Sequence, residues 1–159
     1  MPNSTPLPYR LNVGACLFNA AGLVFVGRRR GVAAPAWQMP QGGIDEGEEP
    51  RIAVLRELRE EIGTDRAEIL GEYPEWLEYD LPKAYRRTKF LSKYRGQRQK
   101  WFALRFTGVE ADIVLDADAH PEFDAYKWVD ISELPGLAVS FKRDIYEAVA
   151  RDFAKYSGR

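Results

Sequence analysis

Hydrophobic and polar positions fall into short runs of different period along this chain. Residues 11–19 and 23–28 are apolar stretches separated by Ala20-Ala21-Gly22, which predicts two strands joined as a hairpin. Trp37-Gln38-Met39-Pro40 reads as a short extended piece, and Gln41-Gly42-Gly43-Ile44-Asp45-Glu46-Gly47 as a loop dense in glycine and acid. Residues 50–62 form the clearest helix. Pro50 suits a first turn, Glu48 and Glu49 complement the positive end of the helix dipole, and Gly63 stops the helix. A strand is expected over residues 67–79 with a break at Pro74, then a long basic loop over 82–97. From Gln99 to Thr107 the pattern alternates, with Trp101, Ala103 and Arg105 on one face and Phe102, Leu104 and Phe106 on the other. Residues 126–129 predict a further strand. Phe141, Ile145, Ala148, Val149 and Phe153 make the stripe of a C-terminal amphipathic helix. Strands mixed with one central and one terminal helix predict an α/β class with layers in the order α/β/α.

Composition narrows the class. The 159 residues suit one ordinary domain with its own core, so residues 1–159 are expected to fold as a unit. At 45% hydrophobic and 30% charged, the chain is globular in composition, which excludes a disordered tract. With 23 Lys plus Arg against 24 Asp plus Glu, the net charge is −1, so a polyanion must be met by local clusters of charge. Cys16 is the only cysteine, which excludes an intramolecular disulfide and is expected to pack in a strand. His120 is the only histidine, which excludes His-pair zinc sites, and it reads as a loop residue without a catalytic part. The first residues carry no basic region followed by an apolar run, and no apolar stretch is long enough for a membrane span. The expectation is a soluble protein of a reducing compartment, the cytoplasm.

On the 50–62 helix, Glu57, Glu60 and Glu61 fall at i, i+3 and i+4, within an arc of about 100°. Leu55, Leu58 and Ile62 fall on the other side and can anchor the helix to a sheet. The like charges repel, and a divalent cation would turn that repulsion into attraction. Magnesium suits the position, because it takes carboxylate oxygens and keeps waters that a phosphate can displace. Taken alone, the same residues also fit a solvated acidic face with Arg56 paired to Glu60.

The surrounding spacing changes the balance. Gly42, five residues, Glu48, seven residues, then Arg56-Glu57-Leu58-Arg59-Glu60-Glu61-Ile62-Gly63 resembles the Nudix box at every fixed position but the last aliphatic one, where Thr64 stands. The resemblance implies a Nudix-like α/β/α sandwich with a mixed sheet, a loop-helix-loop at the box and a C-terminal helix. It also implies hydrolysis of a nucleoside diphosphate linked to another group. Glu57, Glu60 and Glu61 are the implied ligands of magnesium, with manganese an admissible substitute, and Glu57 is also the implied base for the attacking water. Arg56 is expected to pair with an acid such as Glu48 and hold the loop against the helix. Gly42 and Gly43 are expected to let the backbone turn tightly and approach a phosphate or the helix.

Outside the box, Tyr9-Arg10-Leu11-Asn12-Val13-Gly14, Trp37-Gln38-Met39-Pro40-Gln41-Gly42-Gly43, Gln99-Lys100-Trp101-Phe102, Pro121-Glu122-Phe123 and Ser140-Phe141-Lys142-Arg143 resemble one branch of the family. That branch holds bacterial RNA pyrophosphohydrolases and plant-type asymmetrical dinucleoside tetraphosphate hydrolases. Leu11 stands where most members have proline. The resemblance implies Glu122 as a fourth metal ligand, although a loop acid near a turn would look the same. It implies Arg10, Arg29 and Lys142 at the phosphates or the adjacent base, where long cations suit a polyanion. Phe141, with Val139 beside it, is the implied stacking platform for a base, and plain core packing on the terminal helix is the other reading of its spacing.

Between Lys83 and Lys100 lie eight basic residues and no acid, with Tyr85, Phe90 and Tyr94 interleaved. Such a segment suits RNA continuing past its first nucleotide, though a solvated loop has the same composition. Three functions follow as expectations. The first is removal of pyrophosphate from the 5′ triphosphate of RNA. The second is asymmetrical hydrolysis of diadenosine tetraphosphate to ATP and AMP. The third, from another class, is a catalytically silent RNA-binding module, which the intact Glu57, Glu60 and Glu61 disfavour. The partner is thus an RNA 5′ end or a dinucleoside polyphosphate, with no membrane. Oligomeric state stays open, a monomer included.

Overall fold

A computed structural model describes residues 7–31, 36–83 and 91–158. In chain order the elements are β1 (Tyr9–Phe18), β2 (Val24–Arg29), β3 (Trp37–Gln38), β4 (Gln41–Gly43), α1 (Pro50–Ile62), β5 (Ala67–Glu72), β6 (Leu77–Asp80), β7 (Gly96–Phe106), β8 (Phe123–Val129), α2 (Leu134–Leu137) and α3 (Arg143–Phe153). β1 and β7 run parallel at the centre of the sheet, from Tyr9 opposite Gly96 to Phe18 opposite Arg105. The other pairings are antiparallel: β2 with β1, β3 and β8, β4 with β1, and β5 and β6 with β7. The sheet is therefore mixed, as expected.

Alternation along β1 and β7 divides the core into two halves. Cys16, Phe18, Trp101 and Ala103 pack on one face with Ile145, Tyr146, Val149 and Phe153 of α3. Val13, Ala15, Leu17, Phe102 and Leu104 pack on the other with Ala53, Val54, Leu58 and Ile62 of α1. Each fully buried Val, Leu, Ile or Phe among them contributes about 1.5–3 kcal/mol, which is what holds both helices to the sheet. α1 starts at Pro50 and ends where Gly63, at φ 82°, donates its N–H to Arg59 O at 3.1 Å.

Several expectations need correction. Gln41-Gly42-Gly43 is a strand paired with Asn12–Gly14 of β1, so the acidic loop begins only after it. Neither Gly42 nor Gly43 has a positive φ, and no tight turn occurs there. The terminal helix starts at Arg143, and Phe141 lies in the 3-10 turn Ser140–Lys142 before it. Tyr146, not Ala148, completes the buried stripe. On α1, Leu55 is only half-buried while Ala53 and Val54 are fully packed. Of the basic stretch, residues 84–90 lie outside the described residues, and Gly96 and Gln97 already belong to β7.

Candidate active site

Arg56 organises the box. Its Nε donates to Glu48 Oε2 at 2.8 Å, and its Nη2 donates to Glu48 Oε1 at 2.9 Å and Gly43 O at 2.8 Å. Its Nη1 donates to Glu57 Oε1 at 3.0 Å and Glu60 Oε2 at 3.1 Å. One planar guanidinium thus joins the loop, the β4 strand and the acidic helix face, which a single ammonium could not span. The Arg56 hydrogen bonds hold the Glu48 carboxyl down at about 2.

A cavity of about 360 Å³ opens beside this hub. Glu57, Glu61 and Glu122 line it together with Arg10, Arg29, Gly42, Gly43, Phe141 and Lys142. Val139 lines a smaller adjoining cavity that shares Arg29, Phe141 and Lys142. Arg56 and Glu60 stand outside the lining, joined to it through Glu57. The two glycines have a different role from the one expected: a methyl at Gly42 would overlap the Glu57 carboxyl group, and one at Gly43 would overlap the Arg10 guanidinium. Bare strand backbone is what lets an acid and a base lie flat on the cavity wall.

Replacing Gly42 with Ala should therefore displace Glu57 without harming the sheet, since the obstacle is the end of a flexible side chain. Turnover is expected to fall about 100-fold, the scale of a 1 Å misplacement. The melting temperature should move by only a few degrees. Steady-state kinetics and thermal unfolding on the same preparation check both.

Burial raises the Glu57 carboxyl to about 7, against the opposing pull of Arg56. Glu61, whose Oε2 accepts from Gln41 N at 3.3 Å, is raised well above the ordinary range by burial and by the Glu57 and Glu122 charges. Lys142 is 8% exposed and is lowered to about 8 by burial and by Arg29. The cavity thus brings buried acids and a buried cation together, with Arg29 and Glu122 3.9 Å apart on its lining. A divalent ion suits the acids of this lining and a polyphosphate suits its cations. Among the described residues no three acidic, histidine or cysteine side chains converge as they stand on one point that could hold a metal. Two of the acids, Glu57 and Glu60, are turned onto Arg56. The donor set fits a hard ion in chemistry, with Glu61 and Glu122 clear of that pairing.

A pH dependence follows. A carboxyl raised from 4.5 to about 7 stabilises the fold below pH 4.5 and loses that contribution as pH rises through 7. Glu48 acts oppositely, but its contribution is lost only toward pH 2. In EDTA, the melting temperature should therefore fall between pH 5.5 and 8. Added Mg²⁺ should raise it more at pH 8 than at 5.5, as differential scanning calorimetry can check.

Sequence reasoning missed the polar floor. Asn12, Gln38, Gln41 and Gln97 also line the cavity, whereas Tyr79 and Leu81, which line it too, belong to the stretch Trp76–Pro82 whose resemblance to the branch already implied a part in this wall. Polar side chains at alternate positions, 10 and 12 on β1 and 97 and 99 on β7, were the available signal, since they interrupt strands whose next residues are core. Phe141 is half-buried and tilts against Tyr79 with ring centroids 5.6 Å apart, so its ring is part of the cavity wall. The basic segment is less positive than its composition: Arg95 pairs with Asp80 at 3.0 Å, Arg98 with Glu78, and Lys100 with Glu72 at 3.9 Å.

Comparisons with known proteins give the family and the fold. The NUDIX domain model matches residues 8–149, and the chain belongs to the Nudix family, hydrolases that generally use a divalent metal ion. It is 57% identical over 164 residues to an RNA pyrophosphohydrolase of Gluconacetobacter diazotrophicus, covering 99% of this chain and 98% of that one. It is 58% identical over 160 residues to an RNA pyrophosphohydrolase of Acidiphilium cryptum, covering 99% and 97%. Among solved structures, the E. coli dihydroneopterin triphosphate pyrophosphohydrolase superposes with a TM-score of 0.68 at 22% identity, over 91% of this chain and 99% of that one. A C. elegans Ap4A hydrolase complex gives 0.64 at 15%, over 93% and 99%. These structural likenesses establish the fold. No helix among the described residues is long and apolar enough to cross a membrane.

Proposed function

We propose that this chain is a magnesium-dependent RNA pyrophosphohydrolase acting in the cytoplasm, with residues 1–159 as its single catalytic domain. The reaction adds water to the 5′ triphosphate of RNA and releases pyrophosphate, leaving a 5′ monophosphate. The observation that carries this reading is one cavity lined both by the acids Glu57, Glu61 and Glu122 and by the cations Arg10, Arg29 and Lys142. Near-full-length relatives bearing the name RNA pyrophosphohydrolase support the choice of RNA.

When bound, the divalent ion would neutralise phosphoryl charge and lower the pKa of water. Glu57, Glu60, Glu61 and Glu122 would hold it, Mn²⁺ serving in place of Mg²⁺. Glu57 accepts the proton of the attacking water. Arg10, Arg29 and Lys142 take the charge of the phosphates as it shifts toward the leaving pyrophosphate. Phe141 and Val139 present an apolar surface to the first base. Arg56 keeps Glu57 in register.

Competition kinetics test the reading, with 5′-triphosphorylated RNA and diadenosine tetraphosphate in one tube with Mg²⁺. Pyrophosphate and monophosphorylated RNA formed at the higher kcat/KM support it. Faster formation of ATP and AMP would make the chain a dinucleoside polyphosphate hydrolase. Consumption of neither would leave the silent RNA-binding module.

A further inference from the structure

The Gln99-Lys100-Trp101-Phe102 segment has no part in the chemistry above, yet its side chains set the polarity of the cavity floor. An indole N–H can only donate. Trp101 Nε1 donates to Gln99 Oε1 at 3.0 Å, so the amide nitrogen of Gln99 must face the other way. That nitrogen donates to Asn12 Oδ1 at 2.9 Å and Gln41 Oε1 at 2.7 Å. The same nitrogen reaches Gln97 Oε1 at 3.5 Å. Tyr79 also donates to Gln97 Oε1 at 2.7 Å. From the indole, each link through Gln99 ends on an amide oxygen, and the Tyr79 hydroxyl adds a second donor to that of Gln97.

The relay ends in two amide nitrogens, Asn12 Nδ2 and Gln97 Nε2. Asn12 is 1% and Gln97 7% exposed, and both line the cavity. Among the described residues neither nitrogen has a protein acceptor. Buried amide N–H groups without acceptors are costly, so their natural partner is a ligand oxygen. Gln97 lies opposite Arg10 in the β1–β7 register, and Asn12 opposite Gln99, which puts both donors in the rows of the sheet nearest the Arg10 guanidinium.

We propose that Trp101, acting through Gln99, is a positioning residue that fixes the amides of Asn12 and Gln97 with their N–H ends toward the substrate, and that this floor binds phosphoryl oxygens. The inference rests on the polyphosphate reading above and adds a reason for the tryptophan. Neutral donors can approach a phosphate beside Glu57 and Glu61 without neutralising those carboxylates, whereas the reversed amides would present oxygens that repel the substrate.

Trp101→Phe keeps an aromatic ring in the core and removes only the donor and part of the volume. With 5′-triphosphorylated RNA, KM is expected to rise about tenfold, the worth of a lost hydrogen bond to a charged group, while kcat changes less than about threefold. Phe102→Leu, buried on the opposite face of β7, loses packing without touching the relay and should leave KM unchanged. Gln99→Glu cannot donate to Asn12 or Gln41, so it should reproduce the rise in KM even if Trp101→Phe folds poorly. Inorganic tripolyphosphate added to the metal-free, ¹⁵N-labelled protein supplies a readout independent of turnover. The side-chain amide resonances of Asn12 and Gln97 should shift in the wild type and respond far less in Gln99→Glu. Equal KM values for Trp101→Phe and Phe102→Leu would overturn the proposal, as would amides unmoved by tripolyphosphate that shifts Arg10. If RNA is not hydrolysed but the amides shift, the RNA reading fails and the donor floor stands.

Discussion

Glu57→Gln should abolish most turnover and, in the same protein, raise stability at alkaline pH. The two effects have one cause. Burial lifts the Glu57 carboxyl to about 7 because its charge is poorly solvated where the substrate must come. Relative to an unfolded carboxyl at 4.5, holding that charge at pH 8 costs about 3 kcal/mol. Glutamine has the same shape and can still accept from Arg56, but it carries no charge and takes no proton. The loss in kcat is expected at about 10²–10⁴, the range for removing a general base. Without metal at pH 8 the variant should melt higher than the parent by several degrees, at pH 5.5 the gain should fall to about half or less, and it should vanish below pH 4.5. A residual rate within tenfold of the parent would show that Glu57 does not accept the proton. A lower melting temperature at both pH values would trace the loss to damage in the fold.

The box was legible in the sequence because its residues are joined by local geometry. Helical spacing groups Glu57, Glu60 and Glu61, and the short loop brings Glu48 to Arg56 at 2.8 Å. The two halves of the core were legible from alternation, since Trp101 and Phe102 can only face opposite sides of a strand. What stayed hidden depends on chain segments far apart. Glycine spacing says nothing of what will occupy the missing Cβ, and only the packing of α1 on β4 reveals that Gly42 makes room for Glu57. The eight basic residues near β7 look like a charged wall until β6 is laid beside them, where Asp80 and Glu78 meet Arg95 and Arg98. Phe141 was ambiguous by spacing, because a helix can begin before or after it. The 3-10 turn that precedes α3 turns its ring to Tyr79.

Arg56→Lys should be the most destabilising charge-conserving change at the site. Arg56 is mostly buried and makes five hydrogen bonds, to Glu48 twice, Gly43 O, Glu57 and Glu60. An ammonium has three donors on one atom, so it can keep Glu48 or Glu57 but not both and the strand carbonyl. Breaking such a network leaves a buried carboxylate and a buried carbonyl short of partners, at a cost of about 3–5 kcal/mol. For a chain of this length that corresponds to a fall in melting temperature on the order of 10 °C. Arg59→Lys is the control: its pair with Asp65 at 3.2 Å is largely solvated, so the change should stay within about 0.5 kcal/mol. Activity separates the roles further. At a temperature where both variants are folded, Arg56→Lys should lower kcat by about 100-fold through a misplaced Glu57, and Arg59→Lys should leave it unchanged. A kcat unaffected by Arg56→Lys would mean that Gly42 and the helix suffice to position Glu57, and that the guanidinium serves stability alone.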